Sequence, residues 1–350
     1  MPGGETVRVG VIGAGLISAY HLAGLAAAGG AEVRVLAARS TARAGPLAGR
    51  FGVPEVATDW RAVLERPDID AVVIATPDNT HEEMAVAAAR AGKAVLLQKP
   101  MAMSSAGCQR IIAAARAAGV DLQVSWMHRH FEAVVHAREL LASGRLGPVH
   151  HVRIRNATAG PHEPWFFDRA RVAGGVVMQL GVHGIDLVRH LFGEIGAVSA
   201  TAATVRPERT FPGGLRVACE LEDEAHAVYR FAAGGVLGGH EMSFNEARGT
   251  DRFRLEVYGA EGTLLLRTSR GPLAVFAPRA TGAAGWFVPE LPQRAFGERH
   301  HARWLDIVRG RVPSDPTAAD ALAGTLVAEA VYRSAASRRE ETVEALDLGD

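Results

Sequence analysis

Short apolar runs alternate with amphipathic stretches over the first part of the chain. The predicted strands are residues 7–12, 33–37, 70–75, 94–97 and 121–124. The predicted helices are residues 16–28, 42–51, 60–65, 82–91 and 105–118. Strands that alternate with helices in this way favour a doubly wound, mostly parallel sheet with helices on both faces.

The pattern changes after residue 125, where strands follow one another. Extended segments are predicted at residues 149–156, 197–205, 215–222, 225–231, 236–243, 253–257, 263–266 and 273–276. Helices are predicted at residues 131–143, 174–193, 304–309 and 318–334, and a loop at residues 277–285. Successive strands with short turns favour an open, mostly antiparallel sheet. We therefore expect an α/β protein with one domain at residues 1–125 and a second α/β domain at residues 126–350.

A glycine turn follows the first predicted strand. Gly13 permits a tight turn, and Gly15 has no Cβ, so a pyrophosphate could approach the backbone closely. The helix that begins with Leu16 and Ile17 then presents unpaired N–H groups and its positive dipole end to such an anion. Strand, glycine turn and helix together predict a Rossmann-type dinucleotide-binding corner.

The end of the second predicted strand carries no acid. NAD-preferring enzymes usually place a carboxylate there on the adenosine ribose, whereas this chain has Ala38, Arg39 and Ser40. A guanidinium can pair with a ribose 2′-phosphate. The residues thus favour NADP(H), with NAD as the alternative. Arg39 could instead be a solvated residue at a helix start.

Overall composition narrows the class of protein. The 350 residues have a formal net charge of +0, which gives no reason to expect a nucleic-acid partner. No secretory signal or membrane-spanning run is evident, and the only cysteines are Cys108 and Cys219. These features predict a cytoplasmic protein without a disulfide framework. The histidines are scattered, and no metal site is expected.

Two polar segments follow the later parallel strands. The first contains Thr76, Pro77, Asn79 and His81, and the second contains Gln98 and Lys99. Ligands of doubly wound sheets bind at this edge, and an ammonium there could stabilise a developing alkoxide. The alternative is an ordinary surface lysine before a turn proline.

One helix in the second domain bears a narrow polar stripe. Gln179, His183, Asp186 and His190 recur at helical spacing on an otherwise apolar segment. A stripe of this kind predicts a pocket lining, and His183 could exchange a proton near neutral pH. A buried hydrogen-bond network within the core is the alternative.

These segments together resemble the Gfo/Idh/MocA family of oxidoreductases over nearly the whole chain. Residues 98–104 look like its Glu-Lys-Pro motif, residues 174–186 are similar to its glycine-rich helix, and residues 258–263 are similar to a late strand turn. The resemblance implies a Rossmann domain followed by a domain with an open antiparallel sheet that packs against another subunit. A homodimer or homotetramer is therefore expected.

The resemblance also implies residue roles. Lys99 matches a lysine beside the nicotinamide and substrate, and His183 matches the usual acid/base. Substrate contacts are expected from Arg129, Asn156, His162, Trp165 and Gln179, and the segment from Thr76 to His81 matches the cofactor loop. Two departures replace a family acid by an amide, at Gln98 and at Gln179.

The expected function is hydride transfer between NADP(H), or NAD, and a secondary alcohol or ketone of a sugar, cyclitol or sugar derivative. Two alternatives remain open. One is a redox-neutral epimerase or glycosidase that recycles a bound cofactor. The other is a non-catalytic regulator that senses the nucleotide.

Overall fold

The computed structural model describes residues 6–247, 251–267 and 273–346. The chain divides into two units. The first contains the N-terminal residues to Met127 together with Gln293–Leu322, and the second contains His128–Pro292 and Ala323–Leu346. The first unit therefore regains a segment from the C-terminal part of the chain, which two consecutive domains would not include.

The first unit is built on six strands joined by helices. Its strands are β1 Val7–Ile12, β2 Ala31–Ala37, β3 Glu55–Ala57, β4 Ala71–Ile74, β5 Ala94–Leu97 and β6 Leu122–Val124. Its helices up to this point are α1 Leu16–Ala28, α2 Thr41–Phe51, α3 Trp60–Leu64, α4 His81–Arg90 and α5 Ser105–Ala118. The strand order is β3-β2-β1-β4-β5-β6 with every described pairing parallel. The predicted doubly wound sheet is confirmed.

Burial explains why the apolar pattern located these strands. β4 is buried at all four positions, and β5 at three of four. Parallel strands covered on both faces read as continuous Val, Ile and Leu runs. The carboxyl ends of β1, β4 and β5 meet at one sheet edge, where the candidate cofactor residues follow them.

The second unit contains a larger, mostly antiparallel sheet. Its helices are α6 Glu132–Ala142, α7 Val182–Phe192 and α8 Pro278–Thr281. Its strands before α8 are β7 Val149–Ala157, β8 Ile195–Ala203, β9 Glu208–Thr210, β10 Arg216–Ala218, β11 Glu224–Phe231, β12 Leu237–Ser243, β13 Phe253–Gly259, β14 Thr263–Arg267 and β15 Ala274–Phe276. The chain ends with α9 Glu298–Val308 in the first unit, α10 Thr317–Ser337 and β16 Glu341–Thr342.

Eight of these strands form one sheet in the order β15-β14-β13-β7-β12-β11-β8-β16. Only β7 and β12 pair in parallel among them. One face packs against α6, α7 and the later part of α10 in a single core. β9 and β10 form a separate ribbon.

Strands β3, β9 and β16 were not predicted from the sequence, and three further elements differ clearly from their predictions. The strand predicted at 215–222 shrinks to Arg216–Ala218, after which the Cys219 N–H turns to the carbonyl of Pro207 (2.8 Å). The predicted loop at 277–285 contains the short helix α8. The helix predicted at 304–309 begins earlier, at Glu298. Its first turns include His300 and His301, which look polar in the sequence but are buried in the structure. No helix within the described residues is long and apolar enough to span a membrane.

Candidate active site

The glycine turn after β1 has the geometry expected of a phosphate-binding corner. Gly13 has φ +115°, and a Cβ there would lie 2.2 Å from the carbonyl oxygen of Ala75. Gly15 begins α1 without a side-chain cap, and a Cβ added to it would meet nothing within 4 Å. Open space therefore lies beside the uncapped helix end, where Leu16 is exposed and Ile17 is partly exposed. This arrangement fits the pyrophosphate of a dinucleotide.

The end of β2 presents a cation to solvent. Arg39 and Ser40 are exposed, and Ala38 is partly buried. Ser40 precedes α2 without capping it through its side chain, so its hydroxyl remains available to a ligand. No side chain in the described ranges forms an ion pair with Arg39.

The loop after β4 is tied down by a buried histidine. His81 has no exposed surface, and its ring nitrogens lie 2.8 Å from the carbonyl of Pro100 and 2.9 Å from that of Thr76. It therefore links the two loops that follow β4 and β5. Pro77 is partly buried and Asn79 is exposed in the same loop. Direct cofactor contacts for these residues stay predictions.

Lys99 follows β5 and is half-buried. Its backbone N–H donates to Oε1 of Gln98 at 2.8 Å. The peptide bond from Lys99 to Pro100 is cis. The side chain of the preceding residue thus helps to fix the backbone that carries the predicted active lysine.

A buried lysine, Lys93, was missed by sequence reasoning. Lys93 Nζ donates to the carbonyls of Arg66 (2.7 Å) and Ile69 (2.8 Å). Burial lowers the pKa of this ammonium. Lys93 holds the turn before β4, and nothing in the local pattern distinguished it from a surface residue.

In the second unit, the segment with the predicted acid/base begins against a partly buried carboxylate, that of Glu222. Residues Val177–Gly181 form a π-helical turn that continues into α7. Glu222 Oε1 accepts from the N–H of Val177 (3.1 Å) and the hydroxyl of Tyr332 (2.7 Å). A Cβ on Gly175 would lie 1.9 Å from the carbonyl oxygen of Glu222, so glycine is required there.

Burial raises the pKa of the Glu222 carboxyl. The position gave no sequence signal, because the helix that it caps lies more than forty residues earlier in the chain (177 against 222). The paired glycines before that helix were the only local sign that another group approaches closely.

His183 and Gln179 are buried on this segment, with 4% and 6% exposure. The ring of His183 stacks on His128, with centroids 4.5 Å apart and planes 19° apart. Sequence reasoning missed His128. The π turn also changes the spacing around Gln179, so the predicted stripe does not follow regular α-helical geometry throughout. π turns of this kind occur frequently at functional sites.

Asp186, one turn after His183, is paired with Arg129. The Arg129 Nε donates to Asp186 Oδ2 at 2.9 Å, and a second guanidinium nitrogen donates to Oδ1. The two side chains are only 8% and 1% exposed. The pair anchors α7 to the segment before α6, and a substrate contact from Arg129 stays a prediction.

Asn156 lies beneath the same helix. Its Oδ1 accepts from His240 Nε2 at 2.8 Å, and Tyr229 donates its hydroxyl proton to His240 Nδ1 at 2.8 Å. Burial lowers the pKa of His240 to about 3. A Cβ on Gly184 would lie 2.3 Å from Asn156 Oδ1, so α7 packs directly on this group. Asn156 has no exposed surface, and its substrate contact stays a prediction.

His162 and Trp165 lie on a loop after β7. His162 is exposed, while Trp165 stacks on Phe166 at 3.9 Å and lies 5.2 Å from the Arg171 guanidinium. Arg209 anchors this loop by donating to the carbonyl of Ala159 at 3.2 Å.

Arg209 also forms a buried ion pair with Asp223 at 3.0 Å, and sequence reasoning missed both residues. No group of three or more His, Cys, Asp or Glu side chains within the described residues could hold a metal ion.

Comparison with known proteins identifies both halves of the chain. A profile of an oxidoreductase family with an NAD-binding Rossmann fold, GFO/IDH/MocA, matches residues 7–126. A profile of the GFO/IDH/MocA C-terminal domain matches residues 134–265.

Individual relatives match over most of their length. The chain is 33% identical to inositol 2-dehydrogenase 2 of Saccharopolyspora erythraea, over 97% of this chain and 96% of that protein. It is 30% identical to levoglucosan dehydrogenase of Pseudarthrobacter phenanthrenivorans, over 76% and 75% respectively. A solved structure of levoglucosan dehydrogenase in complex with NADH and L-sorbose matches with a TM-score of 0.88 at 27% identity, covering 97% of this chain and 99% of that chain.

Proposed function

This chain belongs to the GFO/IDH/MocA family of oxidoreductases, and from that premise we propose that it transfers hydride between NADP(H) and a secondary alcohol or ketone of a sugar, cyclitol or sugar derivative. It is a nicotinamide-dependent dehydrogenase or reductase that acts on CH–OH groups. The observation that carries the proposal is the corner at Gly13 and Gly15, whose open space fits a pyrophosphate.

The bound nicotinamide would supply hydride acceptance and donation at C4. Lys99 would hold the substrate hydroxyl and stabilise negative charge as it develops on that oxygen. His183 would accept the hydroxyl proton during oxidation and return it during reduction. Gln179 has a neutral amide, so it would orient the hydroxyl through a hydrogen bond rather than act as a base.

Turnover by site variants tests these roles. We expect His183→Ala to lower kcat by about 10²–10⁴-fold, the usual contribution of general acid–base catalysis. Lys99→Met should also lower kcat strongly. His150→Asn is the matched control, because His150 is exposed on β7. Normal hydride-transfer rates in both His183→Ala and Lys99→Met would refute the assignment.

The proposed mechanism requires Lys99 and His183 to act on the same substrate hydroxyl. The double variant tests this requirement. We expect it to be little worse than the poorer single variant, since groups that act as a unit are non-additive. Fully multiplicative losses would indicate independent roles.

The proposed preference for NADP(H) rests on Arg39. This arginine is exposed, has no ion-pair partner among the described residues, and adjoins no carboxylate from Ala38 to Thr41. A charge-assisted hydrogen bond contributes about 1.5–3 kcal/mol, or about 10–100-fold in affinity.

We expect Arg39→Ala to lower kcat/KM for NADPH by about tenfold or more and to leave the value for NADH nearly unchanged. Arg50→Ala, at the other end of α2, should alter neither value. Equal use of both cofactors by the wild-type protein would refute the preference.

Myo-inositol, levoglucosan and 1,5-anhydro-D-fructose are suitable first substrates, because relatives are named for acting on such compounds. Substrate conversion without added nicotinamide would instead support a redox-neutral enzyme. Cofactor binding without any turnover would support a regulator.

We also propose that the chain assembles as a homodimer or homotetramer through the eight-stranded sheet. One face of this sheet packs against helices, and the other exposes Val228 (50%) and Leu237 (46%). Apolar residues on an open sheet face favour association. Val228→Glu with Leu237→Glu should yield a smaller species in light scattering, and a monomeric wild type would refute the proposal.

A cytoplasmic location remains a further proposal from the cysteine content.

A further inference from the structure

A buried chain of hydrogen bonds lies behind Lys99 in the first unit. It joins Gln98, His21 on α1 and His301 on α9, which are 7%, 0% and 0% exposed. Gln98 Nε2 lies 3.1 Å from His21 Nε2, and His21 Nδ1 lies 3.0 Å from His301 Nε2. His301 Nδ1 lies 2.8 Å from the carbonyl oxygen of Gly297.

The groups at the two ends of this hydrogen-bond series determine the direction of every bond in it. The N–H of Lys99 is a donor, so the oxygen of the Gln98 amide must face it, and the amide nitrogen then donates to His21. The Gly297 carbonyl is an acceptor, so His301 must donate from Nδ1. His21 therefore accepts at Nε2 and donates from Nδ1. Every member is satisfied when both imidazoles are neutral.

The surroundings favour neutral rings. Burial lowers the pKa of His301 to about 4 and holds the pKa of His21 well below its usual range. The titratable groups facing them are Tyr20, whose ring centroid lies 5.3 Å from both, and His300, 4.9 Å from His301. No carboxylate in the described ranges forms a hydrogen bond or ion pair with either ring.

We infer that Gln98 is a positioning residue for Lys99, oriented by His21 and His301. The inference rests on the proposed role of Lys99. The Gln98 amide fits this hydrogen-bond series because its oxygen accepts from Lys99 and its nitrogen donates to His21. A shift of Gln98 would release the Lys99 N–H at one end and His21 at the other.

A glutamate at position 98 would conflict with this direction. A carboxylate only accepts, so His21 would have to donate from Nε2. If both rings then changed tautomer, a lone pair of His301 would face the Gly297 carbonyl. Otherwise His21 would take up a proton and become an imidazolium. The exchange of the family acid for Gln98 is thus matched to the two histidines.

The tautomers provide a test that does not depend on turnover. Long-range proton–nitrogen NMR spectra of the full chain with labelled histidine report the protonation of each ring nitrogen. His21→Gln and His301→Gln assign the signals. We expect both rings to be neutral with the proton on Nδ1 near neutral pH. An Nε2–H tautomer or a doubly protonated ring at either position would overturn the inferred direction.

Kinetics test the effect on Lys99. Gln98→Met removes both hydrogen bonds at similar size and should lower kcat by about tenfold at every pH, with cofactor saturating. Gln98→Glu should introduce a new titration into the pH profile of kcat, because proton uptake by His21 then sets the arrangement.

Gln123→Met is the matched control. Gln123 is 4% exposed on β6, where its amide contacts Ser314 (2.8 Å) and Thr317 (2.7 Å). This variant should lose stability but keep the kcat and pH profile of the wild type. If the wild type turns over and both Gln98 variants behave like it, the positioning role is wrong. If the wild type shows no nicotinamide-dependent turnover, the proposed function is wrong, while the tautomers still decide the hydrogen-bond direction.

Discussion

Removing the carboxylate of Asp186 should destabilise the second unit sharply. Asp186 is 1% exposed and Arg129 is 8% exposed, and they form a two-pronged ion pair. Asp186→Asn keeps the shape of the side chain but removes its charge. The guanidinium of Arg129 would then be a buried cation without its carboxylate.

The expected magnitude follows from that burial. Breaking a buried ion pair by removing one partner costs about 3–5 kcal/mol. For a unit of this size, each kcal/mol lowers Tm by about 2–4 °C, so a loss of roughly 10 °C is expected. Replacing both partners by apolar residues removes the charges together. Arg129→Met with Asp186→Leu should therefore cost much less than the sum of the single changes.

Thermal unfolding followed by circular dichroism compares Asp186→Asn with the wild type. The wild type, Arg129→Met, Asp186→Leu and their double variant form a double-mutant cycle measured in the same way. The control is Glu340→Gln, which removes an exposed pair with Arg230 in the same unit (64% and 47% exposed). Such a pair contributes about 0–1 kcal/mol, so Tm should hardly change. An Asp186→Asn protein as stable as this control, or strictly additive effects in the cycle, would refute the argument that burial makes this pair strong.

Three further predictions concern other buried groups. Gly13→Ala should lower Tm because it combines a positive φ with a backbone clash, whereas Gly15→Ala should keep Tm but weaken nicotinamide binding in fluorescence titrations. The low pKa of His240 means that only the unfolded chain binds its proton between about pH 6.5 and about pH 3, so stability should fall as the pH falls through that window, and less so in His240→Gln. Burial raises the pKa of the Glu222 carboxyl, so its ionisation opposes folding as the pH rises. Glu222→Gln should therefore match or exceed the wild-type Tm near about pH 8, while Glu222→Ala should lower the Tm. Unchanged Tm in Gly13→Ala, a flat acid profile in the wild type, or loss of stability in Glu222→Gln would contradict the respective prediction.

Much of the first unit could be predicted from the chain alone. The predicted strands 7–12 and 94–97 and the helix 16–28 coincide with β1, β5 and α1. These elements carry strong local signals, because doubly buried strands are continuously apolar and because a glycine follows both β1 and α1. The turn at Gly13 could also be predicted, since a backbone position with positive φ strongly favours glycine.

Elements whose polar residues are buried were harder to predict. α9 was expected from residue 304 but begins at Glu298, because His300 and His301 are buried against α1. Histidines look like surface residues in a hydrophobic pattern. The burial of these two depends on Tyr20 and His21, nearly three hundred positions away.

The same distinction separates the candidate site residues. The sequence determined the element types, the glycine corner and the identity of Lys99 and His183 as candidate active groups, because period, turn chemistry and residue type are local properties. Only the tertiary structure decided that Arg129 pairs with Asp186, that Glu222 caps the helix of His183, and that Gln98 bonds to His21, which in turn bonds to His301. Those pairings depend on how distant segments meet, and the free energy of a buried polar group depends on the partner it finds there.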